Sequence, residues 1–186
     1  KYLYNIMTLK LIILDIDGVM TDGKKYYDGQ GNVMCKQYND KDFTAIKRFL
    51  SLGIYVCFLS GDNWNKVMAD KRNIKFYSGR SDKGKMDKID ILNKILNDYK
   101  VLQKNCLYIG DDIFDIEVLN VVGYSFCPLD SPKCVKDTCT VLTRNGGDGV
   151  IAELFDYLVD KEIIKIPSID DVKNLDSLEA TSKDMS

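Results

Sequence analysis

Residues 9–18 read LKLIILDIDG, an apolar run that ends abruptly in two aspartates and a glycine. The first six residues have the length and the β-branched content of a buried strand. Asp15 and Asp17 are two residues apart, and an extended backbone directs such side chains to the same side. The sequence therefore predicts a core strand that carries a pair of carboxylates at its carboxyl end.

Short apolar runs alternate with amphipathic ones along the rest of the chain. They predict strands at 54–59, 76–77, 106–109, 124–127 and 140–142, and helices at 42–52, 63–72, 85–97, 112–121 and 150–159. This order requires right-handed crossovers, so we expect a Rossmann-like α/β fold of three layers with a doubly wound, mostly parallel sheet. Residues 24–38 contain the turn sequence DGQG at their centre, which predicts a β-hairpin directly after the first strand.

The length of 186 residues suits one domain, which we place at residues 7–160. Residues 161–186 are polar and poorly periodic, and we expect a C-terminal extension that is partly disordered.

The 26 basic and 28 acidic side chains leave no positive surplus for nucleic acid or an anionic membrane. We see no secretory signal, no apolar run of membrane-spanning length and no C-x-x-C pair among six cysteines, so we expect a reduced cytoplasmic protein.

The chain contains no histidine. This excludes the Ser-His and Cys-His nucleophile pairs and histidine-ligated zinc. Acid–base chemistry in this protein must therefore use carboxylates, lysine, tyrosine or cysteine.

Polar residues follow three of the predicted strands, where the carboxyl ends of a parallel sheet form one edge. They are Asp15, Asp17, Ser60, Gly61, Asp111, Asp112 and Asp115. So many carboxylates at one edge repel each other unless a cation lies among them. Aspartate oxygens suit Mg²⁺, and Mg²⁺ in turn recruits phosphate oxygens.

The residues after the second long strand suit an anion. Ser60 offers a hydroxyl and Gly61 a backbone N–H at the start of a predicted helix. A lysine from residues 83, 85 or 88 would add a positive charge. With phosphate bound there, one carboxylate of the D-x-D pair can attack phosphorus and form an aspartyl-phosphate, while the other moves the proton.

The order D-x-D-G, Ser-Gly, Lys and G-D-D-x-x-x-D resembles the haloacid dehalogenase-like phosphatase superfamily. The resemblance implies that Asp15 is the nucleophile and Asp17 the general acid/base. It also implies that Mg²⁺ is held by Asp15, the carbonyl of Asp17 and Asp111. The remaining implied roles are phosphoryl binding by Ser60, Gly61 and Lys88, and support of the metal site by Asp112 and Asp115.

Three further features are similar to the 3-deoxy-D-manno-octulosonate 8-phosphate phosphatase family, which includes nonulosonate 9-phosphate phosphatases. They are DGVMTDG followed by a hairpin, the K-x-Y-N-x-x-D pattern, and NGGDGVIAEL. The resemblance implies a phosphoric monoester hydrolase acting on a phosphorylated 2-keto-3-deoxy sugar acid. It also implies the absence of a large cap domain and a homotetramer in which the hairpin of one subunit helps to close a neighbour's site.

The chain departs from the family's pattern at two positions that border the substrate. Asp62 stands where octulosonate phosphatases usually carry arginine, and Phe43 follows Asp42 where they usually carry glycine. The substrate thus stays open between octulosonate and nonulosonate. Candidate substrate contacts are Asp42, Asp62 and Lys83; Asp42 is equally well read as a helix N-cap, and Lys83 is the alternative to Lys88 at the phosphate.

Two other functions use similar residues. Response-regulator receiver domains combine aspartates, a Ser or Thr, a lysine and Mg²⁺, but their lysine follows both acidic clusters, whereas here Asp111 and Asp112 follow every candidate lysine.

Related domains associated with sugar-acid cytidylyltransferases serve oligomerisation and are non-catalytic or weakly active. They tend to lose motif residues, and Asp15, Asp17 and Ser60 are all present here, which favours an active enzyme.

Overall fold

The structure, a computed structural model, describes residues 8–80 and 83–183. Its central strand is β1 (Leu11–Leu14), in which all four side chains are buried. A strand that is apolar on both faces has to be covered by helices on both sides, as in parallel α/β sheets. The apolar run that opens the chain's first motif therefore determines the layered architecture.

The elements that follow β1 are β2 (Tyr26–Tyr27), β3 (Val33–Cys35), α1 (Asp40–Ser51), β4 (Tyr55–Ser60), α2 (Lys66–Lys71), β5 (Lys75–Ser78), α3 (Lys88–Tyr99), β6 (Cys106–Ile109), α4 (Ile116–Leu119), β7 (Tyr124–Cys127), α5 (Lys133–Lys136), β8 (Thr140–Val141), α6 (Val150–Asp160) and α7 (Ile169–Lys183). After β1 and the hairpin strands β2 and β3, helices and strands alternate from α1 to α6, and a last helix, α7, follows.

Six strands form one sheet in the order β5-β4-β1-β6-β7-β8, and every pairing within it is parallel. Strands β2 and β3 form a separate antiparallel hairpin. The predicted Rossmann-like architecture with a hairpin after the first strand is thus confirmed. Within the described residues, the hairpin is the only sheet structure between β1 and α1.

The alternation of side chains along the strands divides the interior into two cores. On β1, Ile12 and Leu14 belong to the core beneath α1 and α6, whereas Leu11 and Ile13 belong to the core beneath α3 and α4. Strands β4 and β6 follow the same alternation. Burial of apolar area on both faces is the main term that stabilises this arrangement.

The register of the sheet brings the ends of three strands together. Leu14, the last residue of β1, pairs with Phe58 of β4 and with Ile109 of β6. The backbone N–H of Asp15 then donates to the carbonyl of Ile109 at 3.1 Å. The strand order runs from β1 to β4 and β5 on one side, and to β6, β7 and β8 on the other. The strand order therefore reverses direction at β1, and α/β folds bind ligands at such a topological switch point.

Several element boundaries differ from the predicted ones. The helix predicted at 85–97 begins only at Lys88, because the side chain of Asp87 caps it by accepting from the N–H of Asp90. The helices predicted at 63–72 and 112–121 each begin with a 3₁₀ turn, at Asn63–Asn65 and Ile113–Asp115.

The described part of the C-terminal extension contains helix α7, which its polar sequence did not predict. This helix lies against α1, with an ion pair between Lys47 and Asp176. The limits of the domain and of the extension stay predictions. Within the described residues, every helix is too short or too polar to cross a bilayer.

Candidate active site

The carboxyl ends of β1, β4 and β6 open into a cavity of about 660 Å³. Most of the residues that the motifs single out line this cavity. They are Asp15, Asp17, Ser60, Gly61, Asp62, Lys88, Asp111 and Asp112. Asp115 lies beneath its floor, fully buried. The structure therefore brings the four motifs to one place.

Asp15 and Lys88 form the innermost ion pair. The ammonium of Lys88 lies 2.7 Å from Oδ2 of Asp15, and both side chains are at most 7% exposed. Burial raises the pKa of Asp15 to about 7, although Lys88 acts in the opposite direction. Burial alone would lower the pKa of Lys88, but the charges of Asp15 and Asp115 raise it overall, so the lysine stays protonated.

Asp115 holds the loop that follows β6. Its Oδ2 accepts hydrogen bonds from the backbone N–H groups of Asp111 and Asp112, both at 3.0 Å. Its Oδ1 accepts from Lys88 and from the hydroxyl of Tyr108, both at 2.5 Å. Both oxygens are thus already engaged by protein donors, an arrangement that suits a supporting role better than a metal ligand.

Three carboxylates around the Lys88 ammonium create an excess of negative charge. Oxygens of Asp15, Asp111 and Asp115 lie within 4.8 Å of one another. Three negative groups and one positive group sum to a formal charge of −2, which one divalent cation would neutralise. Burial, followed by the charges of Asp15 and Asp115, raises the pKa of Asp111 to about 8. Within the described residues no hydrogen-bond donor reaches the Asp111 carboxylate, so it is the oxygen ligand most available to a metal.

Gly18 explains the glycine of D-x-D-G. A Cβ at this position would lie 1.9 Å from Oδ2 of Asp111, and the backbone φ is +85°. Only glycine allows the loop after β1 to approach the Asp111 carboxylate this closely without strain. Because Gly18 has no side chain, the loop that follows Asp15 can lie against the Asp111 carboxylate, and this brings Asp15 and Asp111 together.

Asp17 is held by two buried donors. The ammonium of Lys36 lies 2.6 Å from its Oδ1, and the amide of Asn65 donates to its Oδ2 at 2.9 Å. Asn65 also donates to Oγ of Ser60 at 3.0 Å. The hydroxyl that is predicted to bind phosphate is therefore linked to Asp17 through one amide.

Asp62 is paired with two lysines. Its Oδ2 lies 2.7 Å from the ammonium of Lys25 and 3.0 Å from that of Lys36. Burial alone would raise the pKa of Asp62, but the hydrogen bonds from both lysines hold it well below the usual range. Asp62 thus stays charged, and its charge is matched by cations from the hairpin segment.

The loop before α3 forms one wall of the cavity. Arg80 donates from Nε to the carbonyl of Gly61 at 2.9 Å, and from Nη1 to the carbonyl of Gly84 at 3.0 Å. The thioether of Met86 lies so close to Gly61 that a Cβ there would be 2.3 Å from its methyl group. Gly61 is thus clamped between this loop and the end of β4.

Two candidate substrate contacts lie elsewhere. Asp42 is fully buried, and its Oδ1 accepts from the N–H groups of Ile151 and Ala152 at the start of α6. It therefore caps α6 instead of facing the cavity, and the N-cap of α1 is Asn39. Lys83 is exposed and absent from the cavity lining, whereas Lys88 reaches Asp15.

Sequence reasoning missed the polar residues that surround Asp17. Lys36 directly follows the second strand of the hairpin, and the residues on either side of it are exposed. Asn65 lies in a helical turn. Neither residue therefore follows a core strand. The one available signal was the K-x-Y-N-x-x-D pattern, in which Lys36 is the first residue. The contact with Asp17 depends on how the hairpin folds back over β4, which no local pattern reports.

The chain is similar to known phosphatases over most of its length. The sequence profile of the haloacid dehalogenase-like hydrolases matches residues 82–155. The 3-deoxy-D-manno-octulosonate 8-phosphate phosphatase of Haemophilus influenzae is 31% identical over 155 residues, covering 81% of this chain and 83% of that protein. The corresponding phosphatase of Yersinia pestis is 30% identical over 156 residues, covering 81% of this chain and 80% of that protein.

Solved structures agree with the sequence matches. The cobalt-bound form of the Haemophilus influenzae phosphatase superposes with a TM-score of 0.75 at 30% identity, covering 83% of this chain and 90% of that one. The Moraxella catarrhalis phosphatase, solved with magnesium, phosphate and its sugar acid, has a TM-score of 0.74 at 21% identity and covers 96% of both chains. The latter likeness concerns the fold alone.

Proposed function

This chain belongs to the 3-deoxy-D-manno-octulosonate 8-phosphate phosphatase family of haloacid dehalogenase-like hydrolases and is a phosphoric monoester hydrolase, and we propose that it hydrolyses a phosphorylated 2-keto-3-deoxy sugar acid through an aspartyl-phosphate. The observation that carries the proposal is the cavity at the ends of β1, β4 and β6, which collects Asp15, Asp17, Ser60, Lys88 and Asp111.

Asp15 is the proposed nucleophile. Its carboxylate lies at the bottom of the cavity, and attack on phosphorus forms the aspartyl-phosphate while the bond to the sugar oxygen breaks. Lys88 lies beside the Asp15 carboxylate, and its ammonium stabilises the phosphoryl oxygens as they gather negative charge. Ser60 and Gly61 line the same cavity from the end of β4, and their hydroxyl and backbone N–H are the proposed donors to the phosphoryl group.

Asp17 is the proposed general acid/base. It donates a proton to the sugar oxygen as that oxygen leaves, then accepts a proton from the water that attacks the aspartyl-phosphate and releases inorganic phosphate. One group serves both steps because each step restores the protonation state that the other requires. Asp17 is separated from the Asp15–Lys88 pair and has its own donors, so the two carboxylates occupy different environments.

Mg²⁺ is the proposed cofactor, held by the carboxylates of Asp15 and Asp111 and by the carbonyl of Asp17. The donor set fits, because all three ligands are oxygens and the local charge of −2 calls for a divalent cation. When bound, the ion supplies a Lewis acid that polarises the phosphoryl oxygens. Asp112 and Asp115 keep the loop that carries Asp111 in place.

The first proposed substrate is 3-deoxy-D-manno-octulosonate 8-phosphate. Two phosphatases of this compound are similar to about four fifths of the chain, which supports this substrate. A nonulosonate 9-phosphate is the second candidate, favoured by Asp62. This carboxylate faces the cavity where the octulosonate phosphatases usually carry an arginine. Its pairing with Lys25 and Lys36 leaves a polar surface that suits sugar hydroxyls as well as charge.

Phosphate release from a panel of substrates tests this proposal. The panel contains octulosonate 8-phosphate, a nonulosonate 9-phosphate and aldose phosphates that lack the 2-keto acid. We expect kcat/KM to be highest for one of the two keto acids by at least about tenfold, since loss of a charged contact costs more than 1.4 kcal/mol. Equal activity on the aldose phosphates would contradict the substrate class while leaving the phosphatase chemistry intact.

The assembly proposed for the protein is a homotetramer in the cytoplasm. Tyr26 and Tyr27 on the hairpin are 59% and 58% exposed, and Met34 on the opposite arm is 64% exposed. Exposed aromatic and thioether side chains on a short hairpin suit burial against a neighbouring subunit. All six cysteines are free thiols, in keeping with a reducing compartment.

A further inference from the structure

Both oxygens of the Asp17 carboxylate are held by donors that are completely buried. The side chain of Lys36 is 0% exposed and lies 2.6 Å from Oδ1. Asn65, also 0% exposed, donates from Nδ2 to Oδ2 at 2.9 Å. Each carboxylate oxygen has two lone pairs, so each retains one that can carry or accept a proton in the cavity.

The amide of Asn65 can adopt only one orientation. Its oxygen accepts from the ammonium of Lys36 at 2.8 Å and from the hydroxyl of Tyr38 at 3.2 Å. Its nitrogen donates to Asp17 and to Oγ of Ser60. Flipping the amide would place its donors against an ammonium and its acceptor against a carboxylate, which the network forbids. Asn65 therefore acts as a rigid link between Asp17 and Ser60.

Packing does not explain why a lysine occupies position 36. Burying an ammonium is costly unless each of its donors finds an acceptor, and Lys36 satisfies this with Asp17, Asp62 and Asn65. A methionine could fill a similar volume without that cost. Two of the acceptors, Asp17 and Asp62, line the cavity, and none belongs to the hydrophobic cores, so the lysine serves the site.

We propose that Lys36 and Asn65 are positioning residues for Asp17, a role that rests on the proposed function of Asp17 as general acid/base. They fix the plane of the carboxylate so that its free lone pairs face the leaving oxygen. In the first step the proton passes from Asp17 to that oxygen as the bond from oxygen to phosphorus breaks. In the second step Asp17 takes a proton from water as the water oxygen bonds phosphorus and Asp15 leaves.

A purely structural role for the network makes a different prediction. If Lys36 and Asn65 only fastened the hairpin to the end of β4, their loss would affect every substrate equally. If they position the acid, their loss affects only substrates whose leaving group needs a proton. p-Nitrophenyl phosphate releases a stable phenolate and needs no acid, whereas benzyl phosphate, of similar size, releases an alkoxide that does.

The experiment compares kcat/KM for these two esters in the Mg²⁺-loaded enzyme, because kcat/KM reports the steps up to the first bond cleavage. We expect Lys36→Met and Asn65→Leu to lower kcat/KM for benzyl phosphate about 100-fold and for p-nitrophenyl phosphate less than about fivefold. Asp17→Asn should show the same selectivity to a greater degree. Lys25→Met is the matched control, since it also removes a cation from Asp62 but leaves both donors of Asp17 in place.

The outcomes distinguish the positioning role of Lys36 and Asn65 from the proposed acid/base role of Asp17. Equal losses on both esters, or no loss, in Lys36→Met and Asn65→Leu would overturn the positioning role if Asp17→Asn remains selective. An unselective Asp17→Asn would instead overturn the proposed role of Asp17 itself. Selectivity in Lys25→Met equal to that of Lys36→Met would attribute the effect to charge alone and also overturn positioning. Circular dichroism melts accompany each variant, and failure of both variants to fold would mean that the network serves stability, not positioning.

Discussion

Lys88 is the residue that compensates the buried charge at the centre of the site. It is 4% exposed and touches both Asp15 and Asp115, so its removal would leave two buried carboxylates without a cation. We expect Lys88→Met to lower kcat about 100- to 1000-fold, the usual cost of losing one preorganised charge at a reacting group. Lys83→Met removes an exposed lysine of the loop before α3, and we expect steady-state phosphate release by this variant to equal that of wild type.

If Lys83→Met were the impaired variant and Lys88→Met remained active, the assignment of the phosphate-binding lysine would be reversed. The structure favours Lys88 because α3 begins at this residue and directs its side chain back toward β1.

Asp111 is the residue whose contribution to metal binding can be measured apart from turnover. Its carboxylate is close to Asp15 and has no protein donor within the described residues. We expect Asp111→Asn to weaken Mg²⁺ binding about 100-fold or more in calorimetric titrations, since even outer partners of metal ligands contribute 10- to 100-fold. Asp160→Asn, at the end of α6, provides a control of equal charge change. An unchanged Mg²⁺ affinity in Asp111→Asn would remove this residue from the metal site.

At the scale of elements, Asp42 connects α1 to the start of α6. Burial raises the pKa of Asp42 to about 6, although the N–H groups of Ala152 and Ile151 act in the opposite direction. Because the ordinary value is 3.8, the folded state binds more protons than the unfolded state between about pH 4 and 6. The contribution of Asp42 to stability is therefore complete below this window and is lost as the pH rises through it.

The expected size of this loss is roughly 3 kcal/mol in the free energy of unfolding, from about 1.4 kcal/mol per pKa unit. Urea unfolding at pH 4 and pH 6.5 measures it. Asp42→Asn keeps an acceptor oxygen for α6 but does not ionise, so it should lose less stability than wild type over this interval. Asp40→Asn, on the exposed side of the same helix, should behave like wild type. Equal pH dependence in Asp42→Asn and wild type would refute the argument.

The elements themselves were largely predictable from local patterns. Strands β1, β4 and β6 are apolar runs of four to six residues, and this length is typical of a buried strand and too short for a helix. Helix α7 was missed because its apolar residues are three apart and so drift around the helix instead of forming one stripe. In the structure this helix lies against α1. The start of α3 was placed three residues too early, because the charged stretch before Lys88 resembles a first helical turn until Asp87 is known to be the cap.

The residues of the candidate site also divide into those that local sequence patterns predict and those that they do not. Asp15, Ser60 and Asp111 were predictable because each lies at the carboxyl end of a core strand, and the parallel sheet then brings them together. Lys36 and Asn65 were not, since their side chains meet Asp17 only after the hairpin has folded across the end of β4. The family was recognisable from the motifs and is confirmed by the 31% identity to the Haemophilus influenzae phosphatase.

At the scale of the whole molecule, the hairpin is the element expected to join subunits. Replacing Tyr26 and Tyr27 together by serine removes two exposed aromatic side chains without touching a core. We expect the double variant to shift from four chains toward fewer in multi-angle light scattering and to lose activity in parallel. Val67→Ser, which removes an exposed apolar side chain on α2, should leave the mass unchanged. A wild-type monomer with full activity would exclude the proposed assembly.

The central claim is that Asp15 attacks phosphorus and carries the phosphoryl group. Quenching the wild-type enzyme in acid during turnover, followed by proteolysis and mass spectrometry, tests it most directly. The account predicts one phosphoryl group on the peptide that contains Asp15, and neither this adduct nor phosphate release in a folded Asp15→Asn variant. Phosphate release by Asp15→Asn at a rate near that of wild type, or a phosphoryl group on a different residue, would contradict it.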